Sequence, residues 1–131
     1  MRYMISILLG LTLFSCSPAF AITYDRVQSM QILTDATATG SGDVIQPWKA
    51  NRVFQATGLV SASTGAATIL IEGSLDNSLW ETLDTLSLTL GTTATSDFGV
   101  VDAPWRYVRA RVTAISGTGA TVQVYMGSGG K

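Results

Sequence analysis

The chain contains no histidine and one cysteine, Cys16. That removes Ser-His-Asp and Cys-His nucleophilic catalysis, and with them every histidine-ligated metal site. Acid–base chemistry would have to come from carboxylates, and four of them cluster: Glu72, Asp76, Glu81 and Asp84. Paired carboxylates hydrolyse glycosides only across a cleft. These four surround one turn between short segments, which predicts solvated turn and strand-edge charges. Asp76-Asn77-Ser78 could offer oxygen atoms to calcium, but the ordered ligand spacing of an EF-hand loop is missing. No phosphate-binding glycine pattern is present, and Gly117-Thr118-Gly119 reads as a turn. Only Lys49 and Lys131 could replace histidine as the base for a serine. The expectation is a protein that is not an enzyme and holds no cofactor or metal. Trp48, Trp80 and Trp105 could stack on sugars. Trp80 is expected inside, as the large anchor of its hairpin. Trp48, between Pro47 and Lys49, is expected at the surface, so Trp48, Asp76 and Asn77 are the candidate ligand-binding residues for a glycan.

The balance of charge narrows the partners. Eight Lys+Arg stand against nine Asp+Glu, for a net charge of −1. A nucleic-acid binder needs a clustered basic excess, so nucleic acid is not an expected partner. With 13% charged and 47% hydrophobic residues, the chain is also unlike a disordered segment. Its 131 residues make one domain, or one domain and a leader.

The start reads as a leader. Arg2 precedes an apolar run ending at Phe14, too short for the roughly 20 residues of a membrane-spanning helix. Ala19-Phe20-Ala21 then supplies the small-x-small pattern of a signal peptidase site, which predicts a signal peptide over residues 1–21 and an exported product. A second route is open at Leu13-Phe14-Ser15-Cys16, which resembles a bacterial lipobox and would lipidate Cys16. Membrane contact is expected only through the leader or that lipid.

Beyond residue 22 no segment keeps a helical apolar period over three turns. β-Branched and aromatic runs alternate with clusters of Gly, Ser, Thr, Asn and Asp, which predicts an all-β chain. The runs are Tyr24 to Leu33 (a weak strand or arm), Arg52 to Val60, Ala67 to Ser74, Trp80 to Leu90, Asp97 to Val101, Trp105 to Ile115 and Ala120 to Met126. Asp35 to Asp43, Ser61 to Gly65 and Gly91 to Ser96 read as connections. One sheet with two wet faces would leave no core, so two facing antiparallel sheets are expected: a β-sandwich or jelly roll of about seven to eight strands. Residues 22–50 form an N-terminal arm or first strand, 51–127 the sandwich core, and 128–131 a flexible tail.

The last two runs are read as a paired hairpin. Val108, Ala110 and Val112 alternate with Tyr107, Arg109 and Arg111, and Val122, Val124 and Met126 alternate with Gln123 and Tyr125. Matching apolar side to apolar side leaves Trp105, Tyr107, Arg109, Arg111, Gln123 and Tyr125 together outside. Aromatic and guanidinium groups are enriched at protein–protein contacts, so these six form the candidate interaction surface. Arg106 falls on the inward side and is expected at the rim, paired to Asp102 or Asp97.

Ile71-Glu72-Gly73-Ser74-Leu75-Asp76-Asn77-Ser78-Leu79-Trp80 resembles the G-S-x-D-x-x-x-W hairpin of discoidin-like β-sandwich domains, and Arg106-Tyr107-Val108-Arg109 a later strand of the same domains. The stretch from Asn51 to Gly127 resembles small bacteriophage virion proteins more closely. The residues that carry this are Gly73–Trp80, Ala103–Thr113 and Gly117–Gly127. The resemblance implies a capsid-decoration, fibre or other accessory structural role, with a protein partner that is a second copy or a larger virion assembly. An extracellular carbohydrate-binding module is the alternative expectation.

Overall fold

Period-two alternation decides what lies inside. In one strand Arg52, Phe54 and Ala56 are buried between exposed Val53 and Gln55; in another, Leu86, Leu88 and Leu90 are buried between exposed Thr85, Ser87 and Thr89. Such sides can be hidden only against a second sheet, and each fully buried Val, Leu or Ile then contributes about 1.5–3 kcal/mol. The computed structural model describes residues 28–47 and 49–129, and among them no helix occurs. The expected leader with Cys16, Ala19 and Ala21 lies outside the described residues, as do Trp48 and Lys131.

The strands are β1 (Gln28–Ala36), β2 (Gly40–Ser41), β3 (Asn51–Leu59), β4 (Ala62–Ser74), β5 (Glu81–Leu90), β6 (Thr95–Asp102), β7 (Tyr107–Thr118) and β8 (Thr121–Ser128). They form two four-stranded antiparallel sheets, ordered β1-β8-β3-β6 and β2-β7-β4-β5. Consecutive strands change sheet at every connection except β4–β5, which is the one hairpin among the described residues. The expected two-sheet sandwich is therefore present, and the strand order is that of a jelly roll.

The expected β7–β8 hairpin is not formed. The two strands belong to opposite sheets and face each other across the core. The reason lies at the corner. Gly117 and Gly119 have φ of 113° and 61°, and a Cβ on Gly117 would come within 2.6 Å of Val60. That backbone swings the chain across the sandwich instead of folding it back. The Thr118 carbonyl accepts hydrogen bonds of 2.9 Å from both the Ser61 N–H and its hydroxyl. The β7–β8 corner thus runs alongside the β3–β4 corner.

Other boundaries also move. Ser61 to Gly65 is not a free turn, because β4 begins at Ala62. The strand expected from Trp105 begins at Tyr107. Ser128 belongs to β8 rather than to a tail; it is buried and pairs with both Gln28 and Arg52. The N-terminal arm contributes β1, whose ladder to β8 shifts register twice.

The side of the sandwich where β5 and β6 form the sheet edges is closed by side chains. The Asp97 carboxylate accepts a 2.9 Å bond from the Ser87 N–H, and the Thr95 hydroxyl donates to the Thr89 carbonyl at 3.0 Å. These bonds occupy edge groups of β5 that have no neighbouring strand.

Candidate interaction surfaces

The inward half of the sequence reading holds. Val108, Ala110, Val112, Val122, Val124 and Met126 are all buried. The outward half does not stay together. Because β7 and β8 lie in different sheets, Tyr107, Arg109 and Arg111 face one way while Gln123 and Tyr125 face the other, with about 10 Å of packed core between the sheets. Trp105 is on neither face. It precedes β7 and packs against the core, where a Cβ on Gly73 would lie 2.7 Å from its ring.

On the β2-β7-β4-β5 face, Glu72 of β4 stands opposite Arg109 of β7. Arg109 Nε donates to Glu72 Oε2 at 2.7 Å, and Arg111 Nε donates to Oε1 at 2.8 Å. The Glu72 side chain is only 4% exposed, against 21% for Arg109 and 40% for Arg111. Burial alone would raise its carboxyl pKa. The hydrogen bonds from Arg111 and Arg109, with their positive charges, outweigh burial and hold it below the ordinary value of 4.5. Trp80 covers this triad, its ring 4.0 Å from the Arg109 guanidinium. The two tryptophans have thus exchanged their expected places: Trp105 packs on the core and Trp80 lies on the outer face. Arg106 is exposed, and its guanidinium sits 5.2 Å from the Tyr107 ring centre. The expected partner Asp97 is instead engaged by the N–H groups of Ser87 and Phe98.

The Asp76 turn is self-contained. Its carboxylate accepts from the Ser74 hydroxyl and from the N–H groups of Ser78 and Leu79 at 2.8–2.9 Å. The bonds from Leu79, then Ser78, then Ser74 lower its pKa. Asn77 is exposed and takes the left-handed conformation of the turn, φ 60°. Among the described residues, no three His, Cys, Asp or Glu side chains lie close enough to hold a metal ion. Of the four clustered carboxylates, Glu72 is bound to two arginines, Asp76 to its own turn, and Asp84 to the Thr85 N–H at 2.8 Å.

The opposite face, on β1-β8-β3-β6, has a different make-up. Gln31, Tyr125, Gln55 and Phe98 form one row across all four strands, and Ser29, Gly127, Val53 and Val100 form the next. Phe98 is 69% exposed, Val100 57% and Val53 43%. Arg52 is the only basic residue in these four strands, and it points inward. The Tyr125 hydroxyl donates to the Gln123 side-chain oxygen at 2.9 Å, and the Gln123 amide in turn donates to Asp35. Phe98, Val100 and Val53 were not among the residues selected from sequence. The signal was present in Asp97-Phe98-Gly99-Val100-Val101: a strand whose glycine faces in must turn Phe98 and Val100 out.

No family model matches the chain, and no curated protein matches it. Among solved structures it is similar to one described as PBSX exported protein XepA, with a TM-score of 0.54 at 18% identity. The likeness covers 79% of this chain but 37% of that one, so the chain spans little more than a third of that protein's length. What the two share is the fold.

Proposed function

We propose that the chain is an exported, non-enzymatic structural module, an accessory of a bacteriophage-related particle, and that it associates with a second copy of itself through the outer face of β1-β8-β3-β6. The observation that carries this reading is the exposed Phe98–Val100–Val53 patch. Contiguous apolar surface of this kind marks interaction sites. The two central rows carry no formal charge, so a two-fold pairing sets no like charges opposite each other in its middle. Four strands about 4.8 Å apart and about 26 Å long present about 500 Å² each, or about 1,000 Å² for two copies, which reaches the lower bound for a specific interface. The exported protein that shares the fold supports export. The virion-like stretches Gly73–Trp80, Ala103–Thr113 and Gly117–Gly127 support the particle role.

The test is sedimentation equilibrium on the chain and on a Phe98→Ser/Val100→Ser variant. A dimer that the double variant weakens at least ten-fold, without unfolding, is expected. A chain that stays monomeric at high micromolar concentration, or a variant that dimerises as well as the parent, sinks the proposed interface.

A further inference from the structure

Arg52 occupies a core-facing position of β3, in step with Phe54 and Ala56, and is only 2% exposed. A buried cation normally has a carboxylate beside it. Arg52 instead donates from Nε to the Lys49 carbonyl at 2.7 Å and from Nη2 to the Trp105 carbonyl at 3.0 Å. Its Nη1 is buried without any hydrogen-bond partner. Removal from water pushes its pKa down, and among the described residues no carboxylate pairs with it. The guanidinium therefore ties the segment before β3 to the segment before β7 and leaves its own charge unmatched.

Those two segments are the walls of a cleft of about 390 Å³. Gln46, Pro47 and Lys49 line one wall, Pro104, Trp105 and Arg106 the other, with Arg52 between them. Among the described residues no acidic side chain lines it. We propose that this cleft binds a small oxyanion, a sulfate, phosphate or carboxylate group, held by Arg106 at the rim and drawn in by the buried charge of Arg52. An anion in the cleft brings the counter-charge that the two carbonyls cannot give. Arg106, at the exposed rim, completes the grip from above. The volume exceeds that of a bare ion, and the flat surfaces of Pro47, Pro104 and Trp105 suit a sugar-sized body carrying the acidic group.

The test uses the full chain, labelled with nitrogen-15, at constant ionic strength set by sodium chloride. Sulfate, phosphate and glucuronate are titrated separately, with glucose as the neutral control. Saturable shifts are expected at the amides of Ala50, Arg52, Trp105 and Arg106, together with a rise in Tm that chloride does not produce. Arg106→Gln is expected to weaken binding at least five-fold while leaving the Tm without anion unchanged, and Arg106→Lys to restore part of the affinity. Binding of glucuronate alone identifies a sugar acid as the source, whereas equal binding of all three anions identifies the oxyanion itself. Shifts that never saturate, an equal response to chloride, or undiminished binding by Arg106→Gln overturns the site. The experiment does not depend on dimer formation, so failure here and failure of the proposed interface are distinguishable.

Discussion

The two outer faces of the sandwich divide charge and availability in opposite ways. The β2-β7-β4-β5 face carries Glu72, Arg109, Arg111 and Trp80, the groups a reader of surfaces would choose for binding. Yet Glu72 is bound to both arginines, and Trp80 lies over Arg109. On the β1-β8-β3-β6 face Tyr125, Gln123 and Asp35 pair with one another, but Phe98 and Val100 are left in water. What a surface offers a partner is what remains after its own groups have satisfied one another. By that measure the plainer face is the more available one.

The comparison breaks most directly at Glu72. Removing one partner of a buried ion pair costs about 3–5 kcal/mol. The partial exposure of Arg109 and Arg111 reduces this, so Glu72→Ala is expected to lose about 2–4 kcal/mol in urea unfolding. Acid probes the same group. Its folded pKa lies below the unfolded value near 4.5. The stability it contributes is therefore complete above that value and is lost as pH falls through the lower, folded one. Melting curves from pH 6 to pH 3 are expected to steepen below 4.5 in the parent and to flatten in Glu72→Gln. Equal slopes in the two proteins would show that the triad does not lock this face.

On the other face, the Phe98→Ser/Val100→Ser variant tests the opposite property. Its association is expected to fall ten-fold or more, equivalent to about 1.4 kcal/mol, while the monomer loses less than about 1 kcal/mol because both side chains are largely solvated. A large loss of monomer stability would mean that Phe98 is a packing residue after all. The smallest effect is expected at Trp80→Ala. A cation–π contact at a partly exposed site contributes about 0.5–1 kcal/mol, and association should be unchanged because Trp80 lies on the other sheet.

Much of the molecule was legible because burial follows a local rule. The alternation in β7 and β8 correctly separated the inward residues, down to Val108, Val112 and Val124. Alternation cannot say which sheet a strand joins. Two strands hydrogen-bonded side by side and two strands facing across a core have the same pattern of inward residues, so the β7–β8 pairing was open to error and the six-residue surface failed with it. The deciding features were the backbone of Gly117 and Gly119 and the reach of Ser61 to Thr118, which are contacts between distant parts of the chain. The tryptophans exchanged places for a similar reason. Gly73 leaves a hollow that Trp105 fills, and Arg109 offers Trp80 a stacking partner outside. Arg52 sat in plain view at a core-facing position, but its unmatched Nη1 appears only once the segments before β3 and β7 come together.

The place of β8 has a consequence for the order in which the molecule can be made. The last strand of the described chain is inserted between β1 and β3, so the sheet holding the first strand has a gap until the final residues arrive. Pairing across such sequence distances is slow. The sandwich therefore closes late, when β8 slots between strands that must already be held apart at the right spacing, and it does not grow outward from the β4–β5 hairpin.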